Sequence, residues 1–199
     1  MRKNPNIAAG FVICALLICA STTFADELLV KTYDVSKLAD DRDTLIEAIT
    51  CCVQPTSWDE VGGKASIAAF EATGRIVVRQ TDAAHGQISA VFVALEKLRQ
   101  VNASTMPGKP HPPQVVRRAD RRGRDQLVVY DVLDLVRKEE SDDYDWLIEH
   151  LDNIAPETWD VVGGRGTMAV IPMRGAMIIN QTEDVQRLIR EEFTRLRKQ

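Results

Sequence analysis

A helical stripe of apolar residues is the clearest pattern in the chain, and it occurs twice. In each copy the apolar side chains recur at three- and four-residue spacing, which is the spacing of one face of an α-helix. The two stripes consist of Ile88, Val91, Phe92, Leu95 and Leu98, and of Val185, Leu188, Ile189, Phe193 and Leu196. Each stripe predicts a helix with one buried face.

Extended segments precede each striped helix. Residues 28–35 and 127–132 are rich in β-branched and aromatic types, which predicts a strand in each place. Turns at Gly74 and Gly175 each separate two further extended runs, which predicts a β-hairpin directly before each striped helix. A shorter helix is predicted between the first strand and the hairpin, and Pro55 ends it in the first copy because proline cannot continue the hydrogen-bond ladder.

The order of elements repeats because the sequence itself repeats. The stretch from Pro55 to Gly63 returns as Pro156 to Gly164, with Pro, Trp, Asp and both glycines in register. Such self-similarity is typical of a duplicated supersecondary unit. We therefore predict an α+β fold with two tandem βαββα units, residues 28–100 and 127–199, each a three-stranded sheet with two helices on one face. Units this small need support from each other or from a partner.

The first 25 residues have the form of a secretory signal peptide. Arg2 and Lys3 precede an uncharged apolar run, and the small residues Thr23 and Ala25 stand before Asp26. This predicts an exported protein of the periplasm or cell envelope. The alternative is an uncleaved membrane anchor, since the uncharged run approaches the ~20 residues that a membrane helix needs.

Residues 101–126 differ in composition from both units. They are rich in proline and arginine and too poor in apolar residues to build a core, so we predict an exposed linker. Its candidate partner-binding residues are Arg117, Arg118, Arg121 and Arg122. These side chains suit an acidic partner or an anionic envelope polymer, and the alternative is a solvated tether.

Composition and spacing argue against several kinds of chemistry. The formal net charge of −4 argues against a nucleic-acid partner. His85, His111 and His150 are isolated and have no equivalent in the repeat, and the Gly62-Gly63 turn lacks the spacing of a phosphate-binding loop, so we expect no cofactor and no metal. Cys51 and Cys52 are adjacent in a predicted helix, where a disulfide between them would distort the backbone.

The Trp-Asp loops at Trp58 and Trp159 are the most distinctive features, and they allow three interpretations. Each indole could be buried with its N–H bonded to the loop backbone. Alternatively, each could be an exposed anchor, which makes Trp58 and Trp159 candidate partner-binding residues. The carboxylates of Asp59 and Asp160 could also be catalytic, but acid–base chemistry needs a second group set against the first. We therefore assign no catalytic residue.

Each unit resembles an N-domain of the secretin family. The resemblance rests on Thr73 to Thr81 followed by His85, Ile88 and Leu95, on Gly175 to Thr182 followed by Val185, Ile189 and Leu196, and on the Tyr-Asp-Val starts at Tyr33 and Tyr130. It implies periplasmic modules of the same element order that pack into rings beneath an outer-membrane pore. The chain departs from the family in lacking the β-rich pore domain, so the resemblance implies a freestanding pair of N-domains.

Together these features predict an exported, non-enzymatic interaction or assembly module of the cell envelope. Its expected partner is an envelope protein or a second copy of the chain, docked on an open sheet face or edge. Contact with a membrane is expected only if the N-terminal segment is uncleaved. The alternative is an envelope hydrolase or ligand-binding protein that uses the Trp-Asp loops.

Overall fold

The computed structural model describes residues 27–38, 42–104, 111–117, 125–138 and 144–199. Within these ranges the chain forms five α-helices and two antiparallel sheets, so the predicted mixture of helices and sheets is confirmed. The first part of the chain contains β1 (Leu28–Asp34), α1 (Arg42–Cys52), β2 (Ser66–Phe70), β3 (Arg75–Thr81) and α2 (Asp82–Ser104). The second part contains β4 (Gln114–Arg117), β5 (Gln126–Asp131), α3 (Leu133–Lys138), α4 (Asp145–Asp152), β6 (Thr167–Ile171), β7 (Ala176–Gln181) and α5 (Glu183–Leu196). The predicted signal peptide, residues 1–25, lies outside the described residues.

The two sheets share one pairing scheme. In the first sheet β3 lies between β1 and β2, and in the second sheet β7 lies between β5 and β6. Tyr33 pairs with Ile76, and Tyr130 pairs in the same way with Met177. The repeated Tyr-Asp-Val residues therefore occupy equivalent positions at the ends of β1 and β5.

The second sheet departs from the predicted three strands because it has a fourth, β4, at its edge. This strand lies inside the predicted 101–126 linker, and α2 also continues into that segment as far as Ser104. Val115 and Val116 explain the strand: both are β-branched, Val115 pairs with Val128, and Val116 packs against the interior. The prediction gave weight to the prolines and arginines of the segment and missed this short apolar pair.

A second difference is that two helices, α3 and α4, follow β5 where one was predicted. Leu135 and Val136 of α3 are buried in the same cluster as Leu147 and Leu151 of α4. The second part of the chain therefore covers its sheet with three helices.

The elements stack in four layers. Helices α1 and α2 lie between the two sheets, because their buried residues form one cluster with residues of both β3 and β7. Helices α3, α4 and α5 cover the far face of the second sheet. Strands β5 and β7 are consequently buried along their whole length, whereas β1 and β3 show alternating exposure.

Polar contacts also join the two parts. The Arg174 guanidinium donates from Nε to the carbonyl oxygen of Leu38 at 2.7 Å and from Nη2 to that of Lys37. The Cys51 and Cys52 thiols are free, and each lies within hydrogen-bond distance of a carbonyl of the second sheet, Met168 O and Ile178 O. The cysteine pair is therefore part of the packing between α1 and the second sheet.

Candidate interaction surface

The conformation of each Trp-Asp loop is fixed by its own buried tryptophan. Trp58 and Trp159 are each 1% exposed. The Trp58 indole donates to the carbonyl oxygen of Val53 at 2.8 Å, and the Trp159 indole donates to that of Ile154 at 3.0 Å. A buried indole that satisfies its N–H on its own loop fixes the loop but offers no surface to a partner. The prediction of Trp58 and Trp159 as partner-binding residues is therefore corrected.

A glycine and a glutamine also hold each loop in place. A Cβ on Gly63 would lie 2.0 Å from the carbonyl oxygen of Ser57, so only glycine fits there. Gln80 donates to the Ser57 hydroxyl at 2.6 Å, and Gln181 donates to the equivalent hydroxyl of Thr158 at 2.8 Å. The two glutamines were missed as loop partners, although their repetition before Thr81 and Thr182 was a visible signal.

The carboxylates of these loops are exposed. Asp160 accepts a hydrogen bond from the backbone N–H of Val161 at 3.0 Å, which is a local turn contact. An open groove of about 380 Å³ lies elsewhere, between α2 and β4, and is lined by residues that include Gly86, Val93 and Val115. That groove does not adjoin Asp59 or Asp160.

Of the four arginines predicted to bind a partner, the structure describes Arg117. Arg117 belongs to β4, and its Nη2 donates to Asn180 Oδ1 of β7 at 2.7 Å. It therefore ties the edge strand to the centre of the second sheet. Arg118, Arg121 and Arg122 lie outside the described residues.

In each sheet a tyrosine hydroxyl bonds to the helix that follows the hairpin, and Tyr130 is buried whereas Tyr33 is half-buried. Tyr130 Oη donates to Gln186 Oε1 at 2.6 Å, while Gln186 Nε2 donates to the carbonyl oxygen of Gln126 at 2.9 Å. In the first sheet His85 takes the place of the glutamine: its Nε2 lies 2.9 Å from the carbonyl oxygen of Leu29, and its Nδ1 lies 2.8 Å from Tyr33 Oη. Burial raises the pKa of Tyr130 to about 12, so its hydroxyl stays a donor at neutral pH.

In the part of the chain that the structure describes, no three His, Cys, Asp or Glu side chains come together as a group of metal ligands. None of the helices described is both long enough and apolar enough to span a bilayer.

No helix or strand of the described chain covers the outer face of the first sheet. We call it the open face; it comprises Leu28, Val30, Thr32, Asp34, Ser66, Ala68, Phe70, Arg75, Val77, Arg79 and Thr81, which point to one side by their pairing. Val30 is 65% exposed and Phe70 is 55% exposed. Arg79 reaches sideways and donates to the carbonyl oxygen of Lys64 at 3.1 Å, which leaves apolar side chains at the middle of the face.

The equivalent face of the second sheet is covered by α1 and α2. This covered face includes Leu127 and Val129 of β5, Ile171 of β6, and Ala176 and Ile178 of β7, all of which are buried in one cluster with the two helices. The strand pairing makes Leu127 the counterpart of Val30 and Ile178 the counterpart of Val77. The same sheet face thus carries apolar side chains in both sheets, and in the described chain helices cover it in the second sheet and not in the first.

The outer side of the last helix layer is charged. His150 of α4 pairs with Glu192 of α5, and Arg195 donates to the other carboxylate oxygen of Glu192 at 2.8 Å. The Arg195 hydrogen bond, with His150 as a further contribution, lowers the pKa of Glu192 to about 2. The carboxylate therefore stays ionised at any physiological pH.

Comparisons of this chain with protein-family models, curated proteins and solved structures give no match.

Proposed function

We propose that this chain is an exported, non-enzymatic interaction module of the cell envelope, built from two tandem βαββα units. The observation that carries the proposal is the outer face of the first sheet, which no described helix or strand covers and on which Val30 and Phe70 are more than half exposed. Exposed apolar side chains grouped on one face, and mixed with polar ones, are typical of a protein-binding surface.

The composition of the open face favours a reversible complex. Thr32 and Arg75 stand where the covered face has Val129 and Ala176. A face with these polar positions stays soluble when it is empty, whereas the covered face has apolar residues at the same positions. The secretin-like element order and the signal-peptide pattern support a role in the envelope.

Site-specific photocrosslinking in the native host tests the proposal. A photoreactive amino acid at Val30 or Phe70 should give a covalent adduct with an envelope protein, and the same residue at Val115 of β4 serves as an exposed control away from the face. The added change Val77→Lys, at the centre of the face, should abolish the adduct because it places a charge in the contact. N-terminal sequencing of the same material should begin at Asp26.

Two results would contradict the proposal. One is a chain that stays in the cytoplasm with its first residues intact. The other is a correctly exported chain in which neither Val30 nor Phe70 gives an adduct that the Val77→Lys change removes.

A further inference from the structure

On the basis of this interaction role, we propose that the open face docks a pair of helices with small apolar side chains, and that the charged α4–α5 surface is a cap that stops the chain from docking on itself. The argument comes from the chain's own internal packing. It already contains one complete contact between such a helix pair and such a sheet face.

The completed contact shows what the sheet face accepts. Ala48 of α1 and Val91 and Ala94 of α2 are between 0% and 4% exposed, and they belong to the cluster that includes the covered face. We call these three residues the apolar seam. Small side chains at these three positions let the two helices approach the aliphatic residues of the covered face closely.

The last helix pair presents charged residues at the same positions. Leu45 and Ile49 of α1 correspond to Leu147 and Leu151 of α4, which places Ala48 at the position of His150. The match of Ile88 with Ile189 likewise places Val91 at Glu192 and Ala94 at Arg195. His150, Glu192 and Arg195 form the charged seam, and they bond to one another.

The difference between the two seams determines which end of the stack can be extended. Docking the charged seam on an apolar sheet face would remove an ion-pair cluster from water. The desolvation free energy of that cluster exceeds the free energy that the contact would gain. A second copy is therefore a poor occupant of the open face. A helix pair with an apolar seam, carried by another polypeptide, reproduces the contact that the chain makes internally. Terminal units with a polar outer face are the usual way in which stacked repeats end.

Removing the cap tests this directly in the full mature chain. The variant His150→Ala, Glu192→Val, Arg195→Ala gives α4 and α5 the apolar seam of α1 and α2. By light scattering after size exclusion, this variant should show at least about a twofold rise in mass at ~100 µM, increasing with concentration, because a head-to-tail contact does not close on itself. The unmodified chain should remain a monomer under the same conditions.

A second change locates the contact. Adding Val30→Lys to the triple variant should return it to a monomer, whereas adding Val115→Lys, at an exposed valine on the edge strand, should leave the assembly intact. A triple variant that stays monomeric while circular dichroism shows it folded would overturn the proposal. So would an assembly that survives Val30→Lys, or one that Val115→Lys abolishes. Crosslinks from the wild-type open face combined with any of these three outcomes would leave the interaction role standing and remove only the helix-pair partner.

Discussion

Leu127 and Val30 allow the packing scheme to be tested by a matched pair of substitutions. They occupy equivalent positions of the two sheets, but Leu127 is 0% exposed beneath α1 and α2, whereas Val30 is 65% exposed. Truncating a buried leucine removes its transfer free energy and leaves a cavity, so Leu127→Ala should cost about 3 kcal/mol of unfolding free energy. Val30→Ala should cost less than about 1 kcal/mol, because it loses β-propensity and little burial.

Urea unfolding followed by circular dichroism measures both values. Helices α1 and α2 share one core with both sheets, so we expect a single transition rather than two. In a thermal scan, the Leu127→Ala loss should appear as a fall in Tm of about 6–12 °C, since 1 kcal/mol shifts Tm by roughly 2–4 °C in a protein of this size.

The measurement should be repeated at two protein concentrations. If Val30 were buried between copies in solution, the effect of Val30→Ala would depend on concentration. Equal losses for Leu127→Ala and Val30→Ala would refute the four-layer arrangement. Two separate transitions, one for each half of the chain, would refute the shared core.

Three further predictions concern residues that the two copies hold in equivalent places. Trp58→Phe should lower stability by about 1–2 kcal/mol in urea unfolding, because the carbonyl of Val53 loses its buried donor; a loss near zero would show that the indole bond does not fix the loop. His85→Gln should change stability by less than about 1 kcal/mol, because Gln186 makes the equivalent pair of bonds, whereas His85→Ala should cost about 2 kcal/mol or more; equal losses would contradict the equivalence. Glu192 has its pKa lowered from 4.5 to about 2, so its ionised form stabilises the fold above pH 4.5 and the contribution is lost as the pH falls towards 2. Between pH 4.5 and pH 2 the wild type should therefore lose about 1 kcal/mol of unfolding free energy that Glu192→Gln does not lose, after allowance for solvent screening. If the unfolding free energy of Glu192→Gln falls with pH in the same way as that of the wild type, the result would count against the ion pair.

Local signals were enough to predict most elements. The hairpin turns at Gly74 and Gly175 have left-handed backbone conformations, which glycine adopts without steric cost. The stripes of α2 and α5 and the β-branched runs of β3 and β7 lie where the pattern placed them. The pattern succeeds because the spacing of buried side chains within an element is a property of that element alone.

Long-range packing was less accessible from the sequence, although one signal was present. Strand β5 reads Leu127-Val128-Val129-Tyr130 without a break in apolar character, whereas β1 interposes Lys31 and Thr32. A continuous apolar run is typical of a strand buried on both faces, and an alternating one is typical of a strand with one solvated face. The comparison of the two copies thus contained the information that, in the described chain, the second sheet is covered on both faces and the first sheet on one. Strand β4 could not be found in this way, because a four-residue edge strand depends on the neighbour to which it pairs.

The differences between the two copies carry more functional information than their similarities. Residues that pack within a unit are alike in both, as Phe92 and Phe193 show: each meets a tyrosine edge-on at 5.3 Å and 5.1 Å between ring centroids. Residues on the outside of a helix pair differ according to what lies against them. They are small and apolar in α1 and α2, which lie against the second sheet, and charged in α4 and α5, which face solvent. By the same reasoning, Val30 and Phe70 are the positions to explain, because they keep apolar side chains on a face that nothing in the described chain covers.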